Sequence, residues 1–358
     1  MADYSGGNGG SYEDWFTALV CPSCGNTLKA ESGSLVCEKC QSFHKVDEGI
    51  PYFIENEIYW SEPGIEKEML GEIVEDMKNR NWRDVLGSHS SVAVRKHFDF
   101  IQDLGRANWH PMLHLDSRSV IMDFGAGMGT LSHAFSKHYK SVYAVEPVEL
   151  RCKFMKYRFE QEGIRNVRVV RGDSTALPFQ ENSFDHILLN GVLEWLPYSY
   201  KGVNPREAQL RVLRNMNRLL NRNGSISIGV ENRLNYGYFL GAPDSHLGIK
   251  YVTLLPRPIA DVICLYMIGD RYRPYIYSWR GIRKLLRESG FKDIKIFNSI
   301  PSYNEPRITI ELSSTGREYS EALWPTRNAI SKVARGVLSC LGLLRYLGYA
   351  YRVVAKRE

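Results

Sequence analysis

The stretch Asp123–Gly129, DFGAGMG, decides how the chain folds. It follows the apolar run SVIM and precedes GTLSHAFSKHY, which is typical of a helix. Glycines at positions 125, 127 and 129 can turn the backbone tightly and let a ligand approach without a Cβ in the way. A helix that begins here also offers free backbone N–H groups. The stretch therefore predicts a strand, a ligand-binding turn and a helix in succession.

Short apolar runs alternate with helical runs from Ser119 onward. The runs SVIMDFG, SVYAVEP, VRVVRGD, FDHILLNG and SISIGVE predict strands, and most of the segments between them predict helices. This alternation, over roughly 180 residues, predicts an α/β fold with a doubly wound, mostly parallel, Rossmann-like sheet. Residues 234–275 interrupt the alternation, so we expect an insertion there.

Polar side chains stand at the ends of these predicted strands. Glu146 ends the second strand, Asp173 follows the third, and Asn190 closes the fourth. Because such folds bind ligands at the carboxyl ends of parallel strands, we expect these side chains to share one edge of the sheet. A carboxylate at Glu146 would suit the two hydroxyls of a ribose.

The G-x-G-x-G spacing, with an acid two residues ahead, resembles the first motif of class I S-adenosylmethionine (SAM) methyltransferases. A dinucleotide fingerprint fits less well, because Thr130 occupies its third glycine position. The resemblance implies SAM as cofactor, with the carboxylate of Asp173 near the adenine amino group. The predicted SAM-binding residues are Asp123, Gly125, Ala126, Gly127, Gly129, Glu146, Asp173, Ser174 and Asn190.

Longer stretches are similar to one bacterial and archaeal methyltransferase group. They are LLNGVLEWLP, NPREAQLRVLRNMNRLL, GVENRLNYGYFLGAPDSHLG, LLPR and YIYSWRGIRKLLRESGF. Members of that group often accompany glycosyltransferases and other enzymes of surface polysaccharides or secondary metabolites. The resemblance implies a SAM-dependent methyltransferase, and our leading hypothesis is O-methylation of a sugar, a glycolipid precursor or another small metabolite.

The segment Gly229–Gly248 leaves the fifth predicted strand at the same sheet edge, and we predict that it forms a wall or lid of the acceptor site. A hydroxyl acceptor needs a positioned general base. His246 is the first candidate because of its ordinary pKa, with Glu231 and Asp244 as alternatives. In a purely structural alternative, Glu231 pairs with Arg233 and His246 is a turn residue. The predicted acceptor-binding residues are Glu194, Asn232, Arg233 and Tyr236.

Four cysteines form a second motif, Cys21-x2-Cys24-x12-Cys37-x2-Cys40. Two such pairs can place four thiolates tetrahedrally around one Zn²⁺ ion, and no secretory signal is visible that would favour disulfides. The surrounding stretch resembles the small zinc-ribbon proteins that partner methyltransferases, with Phe43-His44 where those usually have Tyr-Pro. We predict a small structural zinc ribbon.

Charge is distributed unevenly along the chain. Residues 1–100 carry 9 Lys and Arg against 17 Asp and Glu, whereas residues 201–358 carry 26 against 12. The acidic beginning argues against RNA binding through the ribbon, because phosphate contacts need Lys and Arg. The basic second half keeps an RNA methyltransferase as an alternative. A non-catalytic cofactor-binding activator of another enzyme is a third hypothesis.

The sequence also predicts a domain order. We expect a flexible leader (1–15), a zinc ribbon (16–58), a helical cap (59–118), a methyltransferase domain (119–312) with an acceptor-binding insertion (232–277), and a C-terminal helical extension (313–358). The extension has a basic, apolar character, which favours packing on the domain, with contact to a membrane surface as an alternative. No stretch approaches the roughly 20 apolar residues of a membrane span, and we expect a cytoplasmic protein. The oligomeric state stays open.

Overall fold

The computed structural model describes residues 14–55, 64–200, 202–313 and 329–358. Residues 1–13 of the predicted leader lie outside this range. The described residues form two β-sheets. The small sheet contains β1 Lys29–Glu31, β2 Ser34–Val36, β3 Phe43–Asp47 and β4 Ile50–Pro51. The large sheet contains β5 Val120–Phe124, β6 Ser141–Glu146, β7 Val167–Arg171, β8 Phe184–Asn190, β9 Leu220–Glu231, β10 Phe291–Ile300, β11 Ile308–Glu311 and β12 Ala350–Arg357.

The large sheet has the strand order β11-β10-β12-β9-β8-β5-β6-β7. Strands β5 to β9 run parallel to one another, whereas β12 pairs antiparallel with both β9 and β10, and β11 pairs antiparallel with β10. The prediction of a Rossmann-like α/β fold is confirmed, with a mixed sheet. The order reverses beside β5, because β6 lies on one side of it and β8 on the other, and such a switch point is where these sheets bind ligands.

Helices cover both faces of this sheet. They are α1 Lys67–Asp76, α2 Trp82–Gly87, α3 Val92–Gln102, α4 Thr130–Ser136, α5 Glu149–Gln161, α6 Pro205–Leu219, α7 Tyr236–Phe239, α8 Arg257–Ile268, α9 Trp279–Glu288 and α10 Ala329–Cys340. The start of helix α6 follows from its sequence, because Pro205 is the first helical residue and the Asn204 side chain accepts hydrogen bonds from the first turn. None of the helices in the described ranges is long and apolar enough to cross a membrane.

The last eight residues before Glu358 form a strand, and the prediction of a helical extension over 313–358 is wrong there. Strand β12 lies between β9 and β10, and Tyr351, Val353 and Ala355 on one of its faces are fully buried. A strand that is buried on both faces is an almost continuous apolar run, which periodicity alone does not distinguish from a buried helix. Within the described part of this span, the helical expectation holds for α10, and residues 314–328 lie outside the described ranges.

The small sheet joins the large sheet at the edge strand β7. Leu19 forms an antiparallel bridge with Phe179, and Tyr52 forms a parallel bridge with Arg171. The backbone N–H of Phe53 donates to the carbonyl of Arg171 at 2.9 Å. The small sheet therefore shares a hydrophobic core with the large one and covers an edge that would otherwise expose unpaired backbone groups.

Two further elements frame the binding edge of the sheet. The cap, helices α1 to α3, packs on α5 through a separate hydrophobic cluster that includes Trp82 and Phe154. The segment between β9 and α9 contains α7 and α8 and has a small core of its own, made of Ile249, Val252, Ala260, Cys264, Tyr272 and Tyr275. The chain here folds away from the sheet and returns to it, as expected of an insertion.

Candidate active site

The turn after β5 combines tight packing with one open side. Gly125, Gly127 and Gly129 have φ values of +75°, +58° and +78°, which L residues rarely adopt. A Cβ on Gly125 would lie 2.5 Å from Val192 Cγ2, and one on Gly129 would lie 2.6 Å from Phe159 Cζ. A Cβ on Gly127 would meet no atom within 4 Å. A ligand can therefore approach the backbone at Gly127.

Glu146 ends β6 and places its buried carboxylate against this turn. Its Oε2 accepts a hydrogen bond from the N–H of Gly127 at 2.9 Å, and its Oε1 accepts one from the N–H of Val148 at 3.1 Å. The guanidinium of Arg151 lies 3.7 Å from Oε1. These contacts hold the carboxylate beside the open side of the turn, where an acid that binds a ribose should lie.

Asp123 lies below the turn, inside the sheet. Its Oδ2 accepts a hydrogen bond from Ser132 Oγ at 2.6 Å, and its side chain is almost completely buried. Burial raises the pKa of Asp123 to about 6, although the hydrogen bond from Ser132 opposes this. The contact to Ser132 connects the end of β5 to α4. Asp123 thus supports the glycine turn from behind.

The loop after β7 supplies two further polar groups. Asp173 Oδ1 accepts a hydrogen bond from the N–H of Thr175 at 2.8 Å, which fixes the direction of the carboxylate. The hydroxyl of Ser174 is buried, and no group in the described ranges forms a hydrogen bond with it. A buried hydroxyl without a partner is costly and is expected where a ligand completes the site. The open turn, Glu146 and this hydroxyl therefore fit a nucleoside cofactor such as SAM.

Asn190 ends β8 and belongs to a buried polar network. Its Oδ1 accepts a hydrogen bond from Arg352 Nη2 at 2.8 Å, and its Nδ2 donates to Asn304 Oδ1 at 2.9 Å. The oxygen and the nitrogen of the Asn190 amide thus both form hydrogen bonds within the protein. This arrangement does not favour the predicted contact of Asn190 with the cofactor. Sequence reasoning missed Arg352, which stacks over Trp109 at 3.8 Å. The only sequence signal for this buried role was an arginine inside the apolar run of β12.

Glu194, Glu231 and His246 meet at the other end of the binding edge. His246 Nε2 lies 3.1 Å from Glu231 Oε2 and 3.8 Å from Glu194 Oε1. Glu194 follows β8, Glu231 ends β9, and His246 comes from the insertion. The structure therefore brings together three of the residues predicted for the acceptor side, which we call the carboxylate–histidine cluster.

Asp244 holds His246 from the opposite side of the ring. Its Oδ2 lies 3.7 Å from His246 Nδ1 and accepts a hydrogen bond from Tyr272 OH at 3.2 Å. Its Oδ1 accepts hydrogen bonds from the N–H groups of His246 and Leu247. Burial would raise the pKa of Asp244, but these hydrogen bonds and the His246 charge lower it. Asp244 is thus a positioning residue and does not fit the predicted role of general base.

The surroundings of His246 keep its ring protonated. Burial alone would lower the pKa of His246, but the hydrogen bonds to Asp244 and Glu194 and the charge of Glu231 raise it to about 10. Burial raises the pKa of Glu231 to about 7, against the opposing charge of His246. A protonated His246 cannot accept a proton, so it does not fit its predicted role as base.

Three residues that follow β9 secure the insertion: Asn232, Arg233 and Tyr236. The predicted contact of these residues with the acceptor is therefore not supported. Asn232 Nδ2 donates to the carbonyls of Tyr346 and Gly348 at 2.8 Å each. Arg233 donates through Nε and Nη2 to two backbone carbonyls at 2.7 Å each, those of Thr253 and Leu255. The hydroxyl of Tyr236 contacts that of Tyr349. The donors of Asn232 and Arg233 are thus engaged with backbone carbonyls, and the hydroxyl of Tyr236 is engaged with a side chain. Among the described ion pairs, Arg233 does not pair with Glu231.

The four cysteines of the small sheet come together as their spacing predicts. Cys21 Sγ lies 3.5 Å from Cys40 Sγ, and Cys24 Sγ lies 3.4 Å from Cys37 Sγ. All four sulfur atoms lie within 4.8 Å of one another. Four thiolates at such separations fit a tetrahedral Zn²⁺ ion with Zn–S bonds of about 2.3 Å. The donor set agrees with a structural zinc site, which stays a prediction.

The central part of the chain is similar to known proteins. Residues 122–228 match a family described as "Methyltransferase domain". Two curated relatives each match over 85 residues, 24% of this chain. "Probable ribosomal RNA small subunit methyltransferase A" of Methanosarcina barkeri is 33% identical over 26% of its length. "Protein-L-isoaspartate O-methyltransferase 2" of Rhodopseudomonas palustris is 31% identical over 39% of its length.

Solved structures resemble a larger part of the chain. The YcgJ protein of Bacillus subtilis has a TM-score of 0.40 and 15% identity, over 71% of this chain and 98% of its own. A SAM-dependent methyltransferase of Archaeoglobus fulgidus has a TM-score of 0.43 and 16% identity, over 75% and 100%. Residues 122–228 thus resemble a methyltransferase domain, and the sheet that contains them is Rossmann-like. The chain spans between about a quarter and two fifths of the lengths of the curated relatives described above.

Proposed function

We propose that the protein is a SAM-dependent methyltransferase. The observation that carries the proposal is the open backbone at Gly127 beside the fixed carboxylate of Glu146, inside a matched methyltransferase domain. The hydroxyl of Ser174 and the carboxylate of Asp173 supply further groups for the adenosine part. Bound SAM would supply an electrophilic methyl group on a sulfonium ion. The chain itself binds and orients the reactants.

The acceptor in this proposal carries a hydroxyl group and belongs to the sugars, glycolipid precursors or other small metabolites. The carboxylate–histidine cluster supports this, because it provides hydrogen-bond acceptors at the ends of β8 and β9, next to the cofactor-binding ends of β5 and β6. Glu231 is the member of the cluster that an acceptor can reach, because 21% of its side chain is exposed, against 0% for Glu194 and 4% for His246.

Glu231 accepts the proton of the acceptor hydroxyl in this mechanism. The Glu231 carboxylate would hold the hydroxyl oxygen toward the bound cofactor, which would supply the methyl group. His246 holds the Glu231 carboxylate at 3.1 Å, and Asp244 in turn orients the ring. General-base help of this kind contributes about 10²-fold to 10⁴-fold to a rate.

Methylation of RNA is a second candidate function. Two observations favour it: the basic composition of residues 201–358, and a curated relative whose name refers to ribosomal RNA. Phosphate contacts by Lys and Arg would make binding strongly dependent on salt.

A methyl-transfer screen separates these candidates. Purified protein is incubated with isotope-labelled SAM and, in parallel, with glycans, lipid-linked sugars, small hydroxylated metabolites and total RNA, and products are detected by mass spectrometry. We expect label in a hydroxyl-bearing small molecule or glycan, and none with Glu231→Gln. Glu288→Gln, which alters an ion pair with Arg206 on the outer helices, is the matched control. Label in RNA alone would favour the second candidate, and absence of label in every sample would contradict both.

A further inference from the structure

The carboxylate–histidine cluster has the geometry of a metal site. Glu194, Glu231 and His246 each offer one ligand atom, and these atoms lie within 4.8 Å of one another. The distance of 3.1 Å from His246 Nε2 to Glu231 Oε2 is that expected of atoms that share one cation, and the distance of 3.8 Å to Glu194 Oε1 is somewhat longer. Metal–ligand bonds in mixed nitrogen and oxygen sites are about 2.0–2.2 Å long, which places neighbouring ligands roughly 3 Å apart.

The groups behind these ligands are those that metal sites use. Histidine ligands commonly direct their second ring nitrogen to a carboxylate, and Asp244 Oδ2 lies 3.7 Å from His246 Nδ1. Asp244 is held in turn by Tyr272 OH and by two backbone N–H groups. The hydroxyl of Tyr303 donates to Glu194 Oε1 at 3.5 Å. Both kinds of ligand therefore have an orienting partner.

Glu194 supplies an independent observation. Its side chain is completely buried, and its Oε2 has no hydrogen-bond partner among the described residues. Glu231 Oε2 also lacks a hydrogen-bond partner and has the His246 ring as its ion-pair contact. A buried carboxylate is costly unless a cation or several donors compensate its charge. With Asp244, three carboxyl groups lie within 4 Å of one imidazole ring.

We propose that Glu194, Glu231 and His246 bind one divalent cation of the first transition row, with Mn²⁺ as the probe that suits two carboxylates and one imidazole. Such a cation compensates the buried carboxylates and leaves coordination positions for the acceptor. Two neighbouring hydroxyls of a sugar, or one hydroxyl and a water, fit those positions. This role rests on the proposed methyl transfer, whereas the binding of the cation itself does not.

A bound cation changes the task of the cluster. Glu231 and His246 would then act as ligands, and the acceptor hydroxyl would be held on the cation and not directly by Glu231. Without a cation, the cluster is an ion pair with a carboxylate base, as in the mechanism proposed above. The two states differ in their metal content. The state with a bound cation needs one metal ion in addition to the zinc predicted at Cys21, Cys24, Cys37 and Cys40.

Titration of the full chain with Mn²⁺ tests the proposal without any turnover. The protein is purified without chelator and loaded with zinc, and binding is followed by calorimetry and by electron paramagnetic resonance. We expect one Mn²⁺ per chain, with nitrogen coupling from His246 in the pulsed spectrum. Glu194→Gln should weaken binding at least about 100-fold, and Asp244→Asn about 10-fold to 100-fold, as other changes behind metal ligands do.

Controls separate loss of the site from loss of the fold. Glu288→Gln and Cys24→Ser should bind Mn²⁺ as the wild type does, and the melting curve of each variant reports whether it is folded. His246→Gln should abolish the nitrogen coupling even if weak binding persists. Wild-type protein that binds no Mn²⁺, Fe²⁺ or second Zn²⁺ would overturn the proposal. Methyl transfer that persists in metal-depleted, zinc-ribbon-intact protein would overturn the acceptor-binding role and leave the methyltransferase function standing.

Discussion

The two halves of the binding edge are built in different ways. In the cofactor half, at the ends of β5, β6 and β7, the polar groups lie within residues 123–175 and contact backbone groups close to them in sequence. In the acceptor half, at the ends of β8 and β9, the groups come from positions as far apart as Asn190 and Arg352. One half is a set of local turns, and the other is a long-range assembly.

This difference has a physical consequence for specificity. The local turns depend on glycine conformations and strand ends, which many sequences can provide while the bound cofactor stays the same. The acceptor half depends on an insertion with its own core, fixed by Arg233 and by Asn232. A change in that insertion can alter the acceptor without affecting the cofactor, as is usual for functional loops on a common scaffold. Substitutions in each half test whether the two halves are separable.

The largest expected effect lies in the acceptor half. Glu231→Gln removes the carboxylate that accepts the proton or binds the cation, and we expect kcat to fall about 10³-fold, or about 4 kcal/mol. The Kd for SAM should change by less than about threefold, because the cofactor contacts other strands. Single-turnover kinetics and calorimetry measure the two quantities. A variant that loses SAM binding together with turnover would show that the halves are coupled.

The predicted zinc ribbon provides the second test, because the small sheet packs on the cofactor half at β7. We expect one zinc per chain by metal analysis and none in Cys24→Ser, which removes one of four thiolates. Since the ribbon shares the core of the large sheet, its loss should lower the melting temperature by about 5–10 °C. SAM binding at low temperature should survive. Cys340→Ser, outside the cluster, is the matched control. Wild-type protein without zinc would contradict the site.

Sequence reasoning succeeded where structure is local. The glycine turn, the strand-end residue Glu146 and the cysteine spacing each depend on residues within a short window, and the structure brings them together as expected. It failed for β12, because a central strand has no alternating pattern. It also assigned Arg233 to the acceptor, although tertiary contacts direct its guanidinium to two backbone carbonyls. Composition does not show which way a loop arginine points.

The cap offers a test based on pH. It is held to α5 by ionic contacts, since Glu162 accepts from Arg83 Nη2 at 2.5 Å and from Trp82 Nε1 at 3.2 Å. Burial would raise the pKa of Glu162, but contacts with His133, Arg158 and Arg83 lower it to about 2. A lowered carboxyl pKa stabilises the fold above about pH 4.5, and this stabilisation is lost as the pH falls toward 2.

Glu162→Gln should therefore destabilise the protein in a pH-dependent way. We expect a loss of about 2 kcal/mol at pH 7, which allows for partial exposure to solvent, and about 1 kcal/mol or less at pH 3. Urea unfolding at both pH values measures it. Glu160→Gln, in an exposed pair with Lys156, should cost less than about 0.5 kcal/mol at either pH. Equal losses from Glu162→Gln at both pH values would mean that packing, and not charge, holds the cap.

The smallest expected effect lies at the centre of the cofactor half. SAM should bind with micromolar affinity, and Glu146→Ala should raise its Kd at least about tenfold, or about 1.4 kcal/mol, because ribose hydroxyls lose their acceptor. Turnover at saturating SAM should fall much less than in Glu231→Gln, since the acceptor half is unchanged. The N–H of Gly127 also loses its partner, so Glu146→Gln, which keeps an oxygen there, should lie between wild type and Glu146→Ala. Calorimetry with SAM measures all three proteins. Equal SAM affinities of the three proteins would show that Glu146 does not bind the cofactor. The open turn at Gly127 would then be the main local contact for SAM, and cofactor binding would depend on groups outside the local turns.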